Sequence, residues 1–399
     1  MNAFILEIVA KYLNSTLDII NLVKTHKNCK DLFEKMKQNY IPIKTEKEFK
    51  LYKSIKIYNK FNKNDYDLKD INYIKIYHYP VFTNQIVHNN SIYKYVQLTQ
   101  NDFIINNNTL TTPTNKIYNI ISINCFQNNQ SIKQVILTNN IKKLFNSCFE
   151  NCNLLETIIA NGVEIIGNKC FKYCNKLSHV EIENCKYIGV ESFYDCKNLS
   201  NIISNKVEII EKNAFTWSGL INIELKYVKF LNYECFKFCI NLKNICMENV
   251  LKIGISCFDS CYNLKNVYIP KCEIIDFMAF TDCTNLNNIT MNPIKIKGRA
   301  FQYCTNLTEI ILGNRIKKLG LNCFENCKNL KNINLGDKIK IIPSSCFRNC
   351  KNLINVYGNG LEEIRLNSFE NCEKLNYINL SKVKKMFSNS FEGCKFIKI

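Results

Sequence analysis

The chain has 399 residues, with 46% hydrophobic side chains, 25 Phe, 22 Cys and a formal net charge of +19. That length accommodates two domains or one long repeat array, and no stretch reaches the roughly 18 apolar residues of a membrane span. The basic excess is spread along the chain with no run of Lys and Arg alone, which argues against a dedicated nucleic-acid patch.

The chain opens on MNAFILEIVAKYL, where no basic leader precedes the apolar run and Glu7 interrupts it. A signal peptide is therefore not expected. Many cysteines without an export signal point to a reducing compartment, free thiols and a cytoplasmic location. Phe4, Ile5, Ile8, Val9 and Tyr12 recur at the spacing of one helical face. Ser15-Thr16-Leu17-Asp18 resembles a capping box with Asp in place of Glu and predicts a second helix with Leu17, Ile20 and Val23 on one side. A third helix is expected over Cys29–Met36, and Pro42 ends the helical stretch. Residues 1–45 thus read as a small helical domain, with a ready role in shielding the first apolar edge of a repeat array. They also resemble an F-box, with Leu6-Glu7 where that motif opens on Leu-Pro. The resemblance implies docking on the Skp-type adaptor of a cullin ubiquitin ligase. Residues 46–117 alternate apolar and polar positions, as in SIKIYNK and NYIKIYHY. They predict an irregular β-rich segment with degenerate repeats and a turn-rich stretch over 101–116.

From 118 to 399 the chain is one repeat. Phe126, Phe149, Phe171, Phe193 and Phe215 are followed at like intervals by others through Phe391, at spacings of 21, 22 or 23 residues. That period lies within the 20–29 range of leucine-rich repeats. The residue before each Phe is Cys, Ala or Ser; three after it is usually Cys, and six after it usually Leu. The Leu-x-x-Ile-x-Leu alternation predicts a short strand with those side chains inward. The return segment, Ile-x-x-Ile-x-x-x-small-Phe-x-x-Cys, has a period of three to four and predicts a helical turn or a short 3₁₀ piece. One turn buries too little to stand alone; stacked turns bury a continuous core, with Phe over Phe. Asn241, Asn263 and Asn285, each just before its Leu, are expected to bond neighbouring turn backbones in an amide ladder. One copy departs: FTWSGLINIEL at 215–225 is a residue short and carries Ser218 in the Cys position. It predicts a local kink.

The pattern resembles that of BspA-type (treponemal-type) leucine-rich repeats of unicellular eukaryotes. FKYCNKLSHVEIENCKYIGVESF at 171–193 and FENCKNLKNINLGDKIKIIPSSCF at 324–347 match it closely. The resemblance implies an α/β leucine-rich repeat solenoid, with a parallel sheet on the concave face and short helical or 3₁₀ turns on the return. It implies protein contacts and no enzyme activity. Bacterial relatives of the repeat imply an alternative role as a surface adhesin.

Cys-Phe-x-x-Cys pairs are the obvious chemistry candidates. Zinc needs four convergent ligands, yet Ser192, Ala214, Ala279 and Ala300 replace the first Cys. What these residues share is small size and a liking for burial. A disulfide between rungs about 4.8 Å apart would strain the ladder. His26, His78, His88 and His179 are the only histidines; none stands in a triad-like pattern, and no phosphate-binding Gly loop occurs. The reading is no enzyme, no cofactor and no metal. What remains is the strand surface eight and ten residues after each Phe. There His179, Glu181, Glu224, Tyr268, Ile311, Tyr357 and Tyr377 are the candidate partner-binding residues, with exposed aromatics as anchors. The expected function is a protein-binding scaffold acting through the concave face. A cullin-ligase substrate receptor and an adhesin are the alternatives.

Overall fold

A computed structural model describes the backbone of five N-terminal strands between Ile57 and Leu98, then residues 103–111 and 120–397. The three expected helices and the F-box-like segment of residues 1–45 lie outside the described residues. The chain divides into two compact units, residues 1–102 with 114–121, and residues 103–113 with 122–399. In the first, Ile57–Lys60, Ile74–Tyr77 and Ser91–Tyr93 pair in parallel. Val81–Phe82, Val96–Leu98 and Ile120–Ile121 form a second parallel set.

The second unit is a solenoid. It starts with a hairpin, Ile104–Asn106 against Thr109–Thr111. Asn107 and Asn108 turn it with left-handed φ values of 47° and 62°, as a two-residue hairpin with the right twist requires. Each later turn then contributes two strands, except that the turn with Glu309–Ile311 has only a bridge at Lys318 in place of the short one. A long one, such as Thr157–Ile159, pairs in parallel and in register with His179–Glu181 of the next turn. A short one, such as Ile165–Ile166, pairs with Tyr187–Ile188. The two ladders follow from alternation: Ile158 and Val180 point inward and are fully buried.

The return segment differs from its helical expectation. Among the described residues there is no helix, and the stretch around each Phe is a chain of tight turns. The residues two before and two after Phe have left-handed φ, as at Lys169 (56°) and Tyr173 (63°) around Phe171. A left-handed residue every fourth position stops a right-handed helix from propagating. It also turns backbone groups towards the neighbouring turn. Phe171 N–H donates to Ser192 O at 2.7 Å, and Tyr173 N–H to Tyr194 O at 2.9 Å. The three-to-four period in the sequence therefore records turns that zip to their neighbours as strands do.

The Phe rings form the core spine. From Phe126 onward each ring stacks on the next, as Phe193 on Phe215 at 5.1 Å and Phe215 on Phe236 at 5.2 Å. Phe103 of the opening hairpin meets Phe126 edge-on at 5.0 Å. Burying each ring contributes about 1.5–3 kcal/mol.

The spine is more continuous than the sheets. The long-strand ladder parts between Asn201–Ile203 and Asn222–Glu224, and again between Asn288–Met291 and Glu309–Ile311. The first seam sits at the short copy where the sequence predicts a kink. The short-strand ladder runs on past it, Ile209 pairing with Phe230. At the second seam the short ladder also thins, to a single bridge between Lys295 and Lys318. Phe280 still stacks on Phe301 and Phe301 on Phe324, both at 5.4 Å.

Candidate functional site

The cysteine motif resolves first. The cysteine three after Phe points inward, and its thiol donates to the Phe carbonyl of the preceding turn. Cys174 reaches Phe149 O, Cys261 reaches Phe236 O and Cys350 reaches Phe324 O, each at 3.1 Å. Each of these carbonyls also accepts the N–H of the cysteine three residues on in its own turn, as Cys239 N–H to Phe236 O at 3.2 Å, so the thiol fills the second lone pair of a buried acceptor. The small residue before Phe fills a fully buried slot that Cys148, Ser192 and Ala214 share. Burial pushes the Cys239 thiol up to about 12, the opposite of the activation a nucleophile needs.

The predicted surface columns lie together on the outer face of the long-strand ladder. His179 and Glu181 share one strand, and His179 Nε2 lies 2.8 Å from Glu181 Oε1. That bond, with a second from Asn161, holds the Glu181 carboxyl below its ordinary range. Glu224 stands next to Cys246, and Cys246 next to Tyr268, in the following segment. Ile311, Asn334 and Tyr357 line up across the last one. Tyr377 pairs with Asn355, and its ring lies 5.8 Å from that of Tyr357. Tyr268, Ile311, Tyr357 and Tyr377 are 45%, 68%, 46% and 46% exposed. The seven candidates therefore share one face but fall in three hydrogen-bonded segments set off by the two seams. Several clefts open on it. One of about 680 Å³ lies at the first seam; one of about 500 Å³ includes Ile311, Asn334 and Tyr357.

The amides on this face are organised. Asn244 Nδ2 donates to Asn222 Oδ1 at 2.6 Å, Asn266 to Asn244 at 2.7 Å and Asn288 to Asn266 at 2.8 Å. Over this segment the column eight after Phe is thus a ladder of amides. In the column before each Leu, the bonds are mostly from side chain to side chain at the surface, as Asn306 Nδ2 to Asn285 Oδ1 at 3.0 Å. Asn263 Nδ2 alone among these makes the expected backbone bond, to Ile240 O at 2.8 Å. Neither outward strand column carries a Lys or Arg between Gln134 and Asn379, on a chain of net charge +19.

Three features escaped the sequence reading. Ser204 occupies a slot that is otherwise mostly apolar, as at Ile182, Met247 and Ile269; counting that column would have shown on which strand the first seam opens. Ile209 and Phe230, 45% and 55% exposed, form an outward apolar pair on the short-strand ladder. Trp217 stacks on Phe238 at 4.2 Å on the turn surface.

A family model described as the BspA type leucine rich repeat region, of six copies, matches residues 100–218, 164–287 and 273–398. The chain belongs to the BspA-type leucine-rich repeat family. Comparison with curated proteins returns no match. Among solved structures, this BspA-type chain is similar to a leucine-rich repeat protein from Bacteroides ovatus. The two are 22% identical with a TM-score of 0.53, over 80% of this chain and 92% of that one. A leucine rich cell surface protein from Faecalibacterium prausnitzii is 20% identical over 65% and 93% of the two chains, with a TM-score of 0.34. The pneumococcal vaccine antigen PcpA is 17% identical over 81% and 83%, with a TM-score of 0.40. At these identities the likeness speaks to the fold alone. The BspA-type family is one of repeat scaffolds, and no catalytic family is indicated.

Proposed function

We propose that this BspA-type protein is a non-catalytic scaffold in the cytoplasm that holds a protein partner on the outer face of its long-strand ladder, the concave face of leucine-rich repeats. The observation that carries the reading is the set Tyr268, Ile311, Tyr357 and Tyr377, large and half-exposed on strands whose backbones are locked to their neighbours. Aromatic anchors on a rigid sheet lose little conformational freedom on binding, so their contact area converts efficiently into affinity. The absence of Lys and Arg from the two columns favours a protein over a nucleic acid, which would need phosphate contacts.

Affinity capture with the full chain, read by mass spectrometry, identifies the partner. Replacing Tyr268 and Tyr357 together by Ala should weaken capture about tenfold or more, with the thermal melt unchanged. A partner retained in full by that double variant would refute the face. The cytoplasmic setting predicts free thiols throughout in protein isolated under alkylation. Disulfides in that protein would favour the adhesin instead. A Skp-type adaptor on residues 1–45 is the runner-up, supported by the helical patterning that precedes the repeats. Deletion of those residues should then remove the adaptor from the captured set, and an adaptor absent from both sets sinks that reading.

A further inference from the structure

The first seam is a built cleft, and its chemistry is polar. Strands Asn201–Ile203 and Asn222–Glu224 start together, joined by the Ile221 N–H to Ser200 O at 3.1 Å. In other turns the strand also closes at its far end, as Ile182 N–H to Ile203 O and Leu225 N–H to Cys246 O, both at 2.9 Å. No such bond leaves Ser204, so the strands splay and the cleft of about 680 Å³ opens between them. That size suits a small-molecule site. Its rim carries the amides of Asn201, Asn205, Asn222 and Asn244 and the Glu224 carboxylate. Ser204 lines it too, and its Oγ is buried without a hydrogen-bond partner. The Tyr227 ring, 54% exposed, stands at one wall. Lys226 is the one cation of the lining, and it is paired with Glu224 at 3.6 Å.

We propose that this cleft binds a neutral, hydroxyl-rich ligand: a sugar unit of an oligosaccharide. A hydroxyl both donates and accepts, and a primary amide offers both functions side by side. Asn222 Oδ1 takes the bond from Asn244 and Asn244 Oδ1 takes one from Asn266, which leaves the Asn222 amide N–H groups for a ligand. The Tyr227 ring supplies an apolar face for the C–H side of a pyranose. The Ser204 Oγ lies behind the rim against the apolar interior of Ile188, Val207 and Phe215, where its unmet bond keeps this strand end from packing as Ile182 and Ile269 do. An anionic ligand would meet Glu224 with a single cation already engaged. An extended peptide crossing the rungs repeats its same-side groups about every 6.6–6.8 Å, out of step with rungs about 4.8 Å apart.

The test uses the full chain on a printed array of neutral, sialylated and sulfated oligosaccharides, followed by calorimetric titration of those retained. Neutral sugars alone are expected to bind. Ser204→Leu restores the apolar residue that most turns carry at this slot and closes the seam. It should lower affinity more than tenfold while melting no lower than the wild type. Ser204→Ala removes only the buried hydroxyl and leaves the cleft open, so binding should be retained. A retained sugar should bind both free and attached to a glycoprotein, the free form competing with the attached one. An array that retains no neutral sugar, retention unchanged in Ser204→Leu, or glycoprotein binding that survives enzymatic deglycosylation overturns the proposal. These variants leave Tyr268 and Tyr357 in place, so failure here leaves the protein-binding face standing.

Discussion

Two residue types do the work that the repeat's appearance hides. A cysteine three after Phe is small enough for the interior, and its thiol still reaches a buried carbonyl; Ala has the size without the donor. Cys261→Ala should therefore lose about 0.5–1.5 kcal/mol, because Phe236 O keeps its bond from the Cys239 N–H and loses the one from the thiol. Cys261→Ser should lose less, since a hydroxyl can donate in its place, as Ser218 already occupies the equivalent slot. Urea denaturation of the two variants checks the order; equal losses would show that volume alone matters. The left-handed positions are the second case. Asn tolerates them best after Gly, and Asn fills many, such as Asn326 and Asn349. Lys169, exposed with φ 56°, does not enjoy that tolerance. Lys169→Asn is expected to stabilise by about 0.5–1 kcal/mol, raising the melting temperature. A fall would mean that the lysine makes contacts worth more than its backbone strain.

The repeated element is a turn with three hydrogen-bonded columns: a long strand, a short strand and the turn around Phe. At the second seam the first column is absent and the second is reduced to one bridge, so the turn column and the Phe stack hold adjacent turns together. The Arg315–Glu273 pair, at 2.6 Å, crosses this region, but both groups are exposed and such a pair adds only about 0–1 kcal/mol. Amides of Thr290–Met291 and Glu309–Ile311 should therefore exchange hydrogen faster than those of Ile245 and Val267, which sit inside an unbroken ladder. Exchange mass spectrometry decides this, and uniform protection across the seam would contradict it. Sequence reading anticipated the first seam because a residue is missing there. It missed the second, although Phe280 to Phe301 is also 21 residues and the next interval is 23: Leu286, Ile289 and Met291 keep their usual offsets from Phe280, so the strand itself carries no sign of the break.

Across the whole solenoid the buried thiols make stability depend on alkaline pH. Burial raises the Cys185 and Cys272 thiols to about 12, and burial likewise raises Cys261, Cys283 and Cys304. The folded chain keeps protons that an unfolded chain releases above about pH 8.5. Their contribution is complete below that pH and is lost as pH climbs towards 12, at about 1.4 kcal/mol per pH unit for each fully shifted thiol. Cooperative unfolding below about pH 11 should follow by circular dichroism. A urea midpoint unchanged from pH 8 to pH 10.5 would contradict it. The sequence by itself determined the period, the Phe spine, the inward strand positions and the family, because each rests on side-chain burial repeated at a fixed spacing. Only the tertiary structure decided that the return is left-handed turns rather than helix, since non-glycine side chains seldom announce positive φ. It alone showed the thiols capping carbonyls, the asparagines bonding in ladders and the strands parting at Ser204. Those depend on which turn lies beside which, and on the distance and direction between groups some twenty residues apart.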